Sequence, residues 1–208
     1  MVRMSYSKAH KLPKNFYTRG TLVVAKDLIG KILVHNNIKG TISGIIVETE
    51  AYTGKDDPSS HSYIGKTKRN EVMFDEGGKV YVYFTYGNHY CFNVVTGKKE
   101  QGNAVLIRAV EPLRGIEIMK KNRKTDDIYN LTNGPGKLAQ AFGINKELYG
   151  EDLLGDKIFI AKPEVDIKLK IIKSPRIGIS RNVEKLYRFF VDGNPFVSRK
   201  NFNRIAKN

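Results

Sequence analysis

Two carboxylates and an aromatic ring alternate along one stretch of the chain. They are Glu48, Glu50 and Tyr52 in Ile45-Ile46-Val47-Glu48-Thr49-Glu50-Ala51-Tyr52. The β-branched residues and the absence of glycine or proline predict a strand. Alternation then puts Ile45, Val47, Thr49 and Ala51 on one face and the two acids with Tyr52 on the other. A carboxylate held there suits general-base work on a water, or stabilisation of a growing positive charge. Residues two apart on a strand are separated by roughly 6.5–7 Å of rise, so a paired-carboxylate sugar hydrolase is also admissible. A solvated strand edge explains the same residues with no chemistry at all.

Other residues carry their own possibilities. Tyr81, Tyr83 and Tyr86 belong to two β-rich runs that flank Gly87-Asn88, the pattern of a hairpin. Tyr81 and Tyr83 share a face and suit either a sheet core or a stacking surface for bases, whereas Tyr86 at the tip has little core to join. Arg108 and Asn93 fall on predicted strands, and His61 lies among loop formers in Ser60-His61-Ser62. Thr132-Asn133-Gly134-Pro135-Gly136-Lys137 resembles a phosphate loop but fails its test. Leu131 stands where the first glycine belongs and Leu138 where Ser or Thr should follow the lysine. The segment remains either a plain turn or a glycine turn whose N–H groups hold a backbone phosphate. Cys91 and the four histidines show no zinc spacing, and a lone thiol in Tyr90-Cys91-Phe92 reads as a small buried hydrophobe.

The bulk composition narrows the partner. Lysine and arginine number 36 against 21 acidic residues, a formal charge of +15. Such a surplus attracts polyanions, with nucleic acid ahead of anionic membrane. The start has no apolar core, no run is long enough for a membrane span, and one cysteine allows no internal disulfide. These features predict a protein of the cytoplasm, nucleoid-associated if bacterial, and not secreted.

The elements that must position these residues follow in order. Residues 1–17 read as a loose basic arm. A helix is expected from Thr18 to about Ile29 with Gly30 as its stop. Strands follow at Lys31–His35 and Thr41–Tyr52 about an Asn36-Asn37 turn, then a long loop over residues 53–78, which at that length is either functional or disordered. The hairpin covers about residues 79–95. Ala104–Val110 reads as a strand, Pro112 to about Lys124 as a basic helix, and Pro135 to Gly143 as a short helix and its stop. Strands are expected at Lys157–Ala161 and Ile167–Lys173, and a last helix at Asn182–Val191.

Taken together, several spaced motifs resemble the alkyladenine (3-methyladenine) DNA glycosylase family. They are Glu48-Thr49-Glu50-Ala51-Tyr52, Ser60-His61-Ser62, Arg69-Asn70 with Met73-Phe74, Tyr81-Val82-Tyr83 with Tyr86-Gly87, Asn93, Leu106 to Pro112, and Gly134-Pro135-Gly136-Lys137-Leu138. They run in one order from about Leu28 to Leu153, and more loosely to the C-terminus. The resemblance implies excision of damaged purines from duplex DNA without metal or cofactor. By that resemblance Glu50 is the general base for a water attacking the sugar C1′, and Arg108 helps hold the water and the carboxylate. Tyr52, His61 and Tyr83 are walls of the base pocket, and Asn93 crowds the exocyclic amine of guanine. Tyr86 is the residue that wedges into the minor groove, and Met73 packs near it as part of the intercalating element. Arg69, Gly136 and Lys137 are assigned to the DNA backbone.

The expected fold is α+β: a single mixed domain over residues 1–208, with a largely antiparallel curved sheet, flanking helices and a protruding hairpin. The expected partner is double-stranded DNA containing damaged purines, bound by a monomer. A non-catalytic DNA-binding or architectural protein is the competing reading, and Glu50 discriminates, because a carboxylate near the DNA backbone weakens pure binding.

Overall fold

The computed structural model of the chain describes residues 10–85, 87–165 and 168–198. Its framework is one eight-stranded antiparallel sheet that curls into a half-barrel. The strands are β1 (Ile32–Asn37), β2 (Gly40–Thr53), β3 (Val80–Thr85), β4 (His89–Thr96), β5 (Asn103–Arg114), β6 (Ile158–Ala161), β7 (Ile171–Ser174) and β8 (Arg188–Val191). The main path runs β3-β4-β5-β2-β1-β6, and β8 joins β2 beyond the end of β1, with β7 outside it. Among the described residues four α-helices accompany the sheet: α1 (Lys14–Tyr17), α2 (Thr21–Asp27), α3 (Ile116–Arg123) and α4 (Pro135–Phe142).

The register decides what meets what. Tyr81 pairs with Asn93, Asn93 with Leu106, Leu106 with Glu50, and Glu50 with Arg188. Paired residues share a face, so this row crosses five strands on one side of the sheet. Tyr83, Cys91, Arg108, Glu48 and Tyr52 lie on the same side, two residues away from their neighbours in the row. On the opposite side Val82, Phe92, Val94, Val105 and Ile107 join the main core with residues of α2 and α4. Thr49 also faces that side, and its hydroxyl donates to the Ala25 carbonyl of α2 at 2.8 Å. The alternation read from the sequence of β2 therefore holds, but both faces are covered, so every residue from Ile42 to Ala51 is buried.

Several expectations are corrected. Pro112 does not open a helix; it lies in β5 opposite Gly44. Strand β4 accompanies β5 only as far as Leu106, so at Pro112 the strand has β2 on one side only, and the missing N–H costs no ladder bond there. The helix starts instead after Gly115, whose φ of 77° marks the turn. The helix expected at 182–191 is a strand in its last four residues, all buried between β2 and β7. The first helix begins at Thr21 rather than Thr18, and the turn between β1 and β2 falls after Asn37. Residues 10–17 are docked rather than loose, with Leu12 and Tyr17 fully buried; residues 1–9 lie outside the described residues. The expectation for α4 holds, from Pro135 at its first turn to the left-handed Gly143 at its end. No helix among the described residues is long and apolar enough to cross a membrane.

Candidate active site

The sheet face with the polar row forms the floor of a pocket of about 580 Å³, within the usual range for small-molecule sites. Tyr52, His61, Met73, Tyr83, Asn93, Arg108, Gly136 and Lys137 all line it. The structure thus gathers eight of the residues singled out in the sequence. Glu50 does not itself line the pocket; it is fully buried behind Tyr52, Arg108 and Ile177, which do and which all donate to it. Arg69 stands outside, exposed, donating to the Phe84 carbonyl at 3.1 Å. Tyr86 lies outside the described residues.

Glu50 accepts three hydrogen bonds. Tyr52 Oη donates to Oε2 at 3.0 Å, Arg108 Nη1 to the same oxygen at 3.1 Å, and the Ile177 N–H to Oε1 at 2.7 Å. All three partners are donors, a set that suits an ionised carboxylate, which only accepts. Burial, and then the adjacent Glu50 charge, push the Tyr52 phenol well above its ordinary pKa, so Tyr52 stays a neutral donor. Burial opposes the charge on Arg108, but Glu50 and Glu48 outweigh it and raise its pKa. Arg108 is a fixed cation.

Glu48 does not face solvent. It is fully buried and takes four bonds: Arg108 Nε at 3.1 Å, Arg188 Nε at 2.6 Å, and Ser198 through its Oγ at 2.9 Å and its N–H at 2.8 Å. Its two oxygens are occupied, and Arg188 is itself fully buried. Glu48 is held by two guanidinium groups, which makes it their structural counter-charge rather than the second acid of a paired-carboxylate hydrolase. It holds Arg108 by Nε so that Nη1 points at Glu50.

The walls are aromatic. The His61 ring meets Tyr83 edge-on at 4.4 Å between centroids, and its Nδ1 lies 2.8 Å from Tyr81 Oη. His61 opens to solvent on one side. The protein around its other side, and then Arg69, lower its pKa and keep it neutral. Asn93 Nδ2 donates to the Tyr81 carbonyl at 3.1 Å, which fixes the amide in the wall. Met73 is buried against Tyr81, Val95 and Ala104. At the rim, Gly136 passes so close to the hairpin that a Cβ there would sit 2.8 Å from His89 Cγ. The Lys137 ammonium is bound by the side-chain oxygens of Asn130 and Asn133, and burial, then Arg123, lower its pKa.

The sequence reading missed the C-terminal contribution. Ile177 and Gly178 line the pocket, and Arg176 braces them. Arg176 is buried, grips both oxygens of Asp57, and donates to the Ala51 carbonyl at 2.9 Å. Its guanidinium lies 4.7 Å from the Tyr52 ring centroid. Burial opposes the Asp57 charge, but the Arg176 bonds outweigh it and lower the Asp57 pKa. A signal was present in Arg188-Phe189-Phe190-Val191. A charge inside a short apolar run needs a buried partner, and Glu48 had none assigned. Among the described residues no group of three His, Cys, Asp or Glu is placed to hold a metal ion.

Comparison with known proteins gives a family for the chain. Residues 15–195 match the family model described as methylpurine-DNA glycosylase (MPG). A relative from Carboxydothermus hydrogenoformans is 50% identical over 190 residues, covering 91% of this chain and 99% of its own. One from Prosthecochloris aestuarii is 48% identical over 187 residues, with 89% and 90% covered. One from Methanoculleus marisnigri is 46% identical over 192 residues, with 91% and 99% covered. Each carries 3-methyladenine DNA glycosylase as its provisional name.

Proposed function

Because the chain belongs to the methylpurine-DNA glycosylase family, we propose that it excises damaged purines from duplex DNA by hydrolysing the N-glycosidic bond. The substrates in this reading are alkylated or deaminated purines: 3-methyladenine, 7-methylguanine, hypoxanthine and ethenoadenine. A base inside the stack cannot reach a buried carboxylate, so the nucleotide is extruded into the pocket at a cost of a few kcal/mol. Tyr86 fills the space it leaves. Tyr52, His61 and Tyr83 receive the base, and their electron-rich faces favour the positive charge of a methylated purine. For the methylated purines that charge also weakens the glycosidic bond, so little acid catalysis is needed. Hypoxanthine and ethenoadenine are neutral, leave as anions and take a proton from solvent to give the free base. Asn93 crowds the exocyclic amine of an undamaged guanine.

Glu50 takes the proton of a water that attacks C1′, and its charge stabilises the oxocarbenium-like transition state. Arg108 holds the water and the carboxylate together, and Glu48 holds Arg108. The products are a free base and an abasic site, formed by a monomer without cofactor on chromosomal DNA in the cytoplasm. The surplus behind the +15 charge, including Arg69 and Lys137, supplies the phosphate contacts.

The observation that carries this reading is Glu50: a buried carboxylate with three donors, set under an aromatic pocket in a strongly basic protein. The test uses labelled duplexes holding one hypoxanthine or methylated purines, incubated without added metal, then treated with alkali and resolved on a gel. The expected result is strand cleavage at the lesion only after alkali, lost in Glu50→Gln while binding to damaged duplex is kept. Turnover by that variant would remove Glu50 from its role. Tight binding by the unaltered protein with no cleavage of either duplex would favour the non-catalytic DNA-binding reading.

A further inference from the structure

The loop that carries His61 displays an apolar pair that nothing in the pocket uses. Tyr63 is 44% exposed and Ile64 80% exposed. The loop itself is tightly built. Asn70, at 2% exposure, donates from Nδ2 to the carbonyls of His61 at 2.8 Å and Gly65 at 2.9 Å, and accepts from the Thr67 N–H at 2.7 Å. Ser62 Oγ donates to the Gly102 carbonyl. The Tyr63 N–H closes a turn on the Ser60 carbonyl and the Gly65 N–H one on that of Ser62. Gly65 turns the chain at φ 93°, a conformation that glycine adopts without strain.

A loop whose backbone is already fixed has lost most of its chain entropy, so a surface that covers its apolar side chains gains their burial against the cost of ordering the side chains alone. The surroundings say which surface. Lys66, Lys68 and Arg69 are exposed on the same loop. Arg69 ties it to the hairpin beside Phe84, itself 47% exposed. His61 ties the other end to the pocket wall. Apolar side chains among cations, on the loop whose His61 lines the pocket, match duplex DNA, where phosphates meet the cations and sugar faces in the minor groove meet the apolar groups.

We propose that Tyr63 and Ile64 form an apolar platform that packs on the sugars beside the extruded nucleotide, a second fixed contact in addition to the hairpin. The proposal rests on the glycosylase reading for the identity of the duplex.

The experiment measures binding of the full chain to a duplex containing a tetrahydrofuran abasic analogue, across a salt series, for the unaltered protein, Ile64→Ala, Tyr63→Ala and Lys68→Ala. Binding of free hypoxanthine is measured in parallel. Ile64→Ala is expected to weaken duplex binding about tenfold, the worth of one to two buried methylene groups. The slope of log K on log salt should stay unchanged, because an apolar contact releases no counterions. Lys68→Ala should instead lower that slope by about one. Free-base binding should be untouched in every variant. Duplex affinity within twofold for both Ile64→Ala and Tyr63→Ala would overturn the platform. So would an equal loss of free-base binding, which would mean that the loop only shapes the pocket wall, or a change confined to self-association. A protein that fails to excise any lesion but still shows the salt-independent loss would end the catalytic reading and leave the platform standing.

Discussion

Replacing Glu48 by glutamine tests whether the second carboxylate positions the first site's arginine or only fills space. Two carboxylates, Glu48 and Glu50, face two guanidinium groups, Arg108 and Arg188, and all four are buried. Glutamine keeps the shape but removes one negative charge, and its amide can meet the Ser198 N–H donor-to-donor where Oε2 now accepts at 2.8 Å. Removing one partner of a buried ion pair costs about 3–5 kcal/mol, out of about 5–15 kcal/mol for a whole domain. For a chain of this size each kcal/mol lowers Tm by about 2–4 °C, so a fall of about 6–20 °C is expected by circular dichroism. Single-turnover excision, assayed well below the new Tm, should slow by at least about tenfold, because Arg108 loses the bond at Nε that aims Nη1 at Glu50. Affinity for damaged duplex should change little, since Glu48 touches no surface. A paired Glu48→Met, Arg188→Met variant separates the two effects: apolar replacement of both partners can restore stability but leaves Arg108 unanchored, so excision should stay slow. A Tm shift under about 2 °C with unchanged excision would refute both roles, and restored excision in the paired variant would leave Glu48 a purely structural charge.

Two further outcomes follow from the same geometry. Arg176→Lys keeps the charge but cannot grip both Asp57 oxygens and the Ala51 carbonyl at once; single-turnover excision should slow while free-base binding is kept, and an unchanged rate would remove the brace from the site. The buried His35 pairs through Nδ1 with the Phe142 carbonyl at 2.8 Å, yet burial lowers its pKa. The native state therefore resists its protonation. Its contribution to stability is complete above the unfolded value of about 6.5 and is lost as pH falls below that towards the native pKa. Urea unfolding should show lower stability at pH 5.5 than at pH 7.5, and a weaker pH dependence in His35→Asn; identical dependence in both proteins would exclude His35 as the source.

What the sequence made legible is what short-range physics controls. Alternation in β2 placed Glu48, Glu50 and Tyr52 on one face, and Pro135 with Gly143 bounded α4. The hairpin followed from β-rich runs about Gly87-Asn88. The misreadings share a cause. Pro112 carries a strong local signal for a helix start, but β2 extends to Gly40 and holds its neighbour in strand pairing as far as Arg114. Arg188 to Val191 has no helical or strand period to read, because all four residues are buried on both sides. Their conformation is set by β2, about 140 positions earlier.

That distance also explains which parts of the site stayed hidden. Glu50 and Tyr52 come from one strand, but the groups that fix them come from far along the chain: the Ile177 N–H bonds Glu50 across 127 positions, and Arg176 reaches Asp57 across 119. A buried carboxylate is costly until every one of its partners is in place. The C-terminal third therefore acts on the site as its source of compensating charge, with Arg176 answering Asp57 and Arg188 answering Glu48. The three donors of Glu50 belong to Tyr52, Arg108 and Ile177, all of which line the pocket, whereas Glu48 is also held by Arg188, which does not. The difference in partners between two chemically identical side chains two residues apart is thus set by which of them the distant Arg188 reaches.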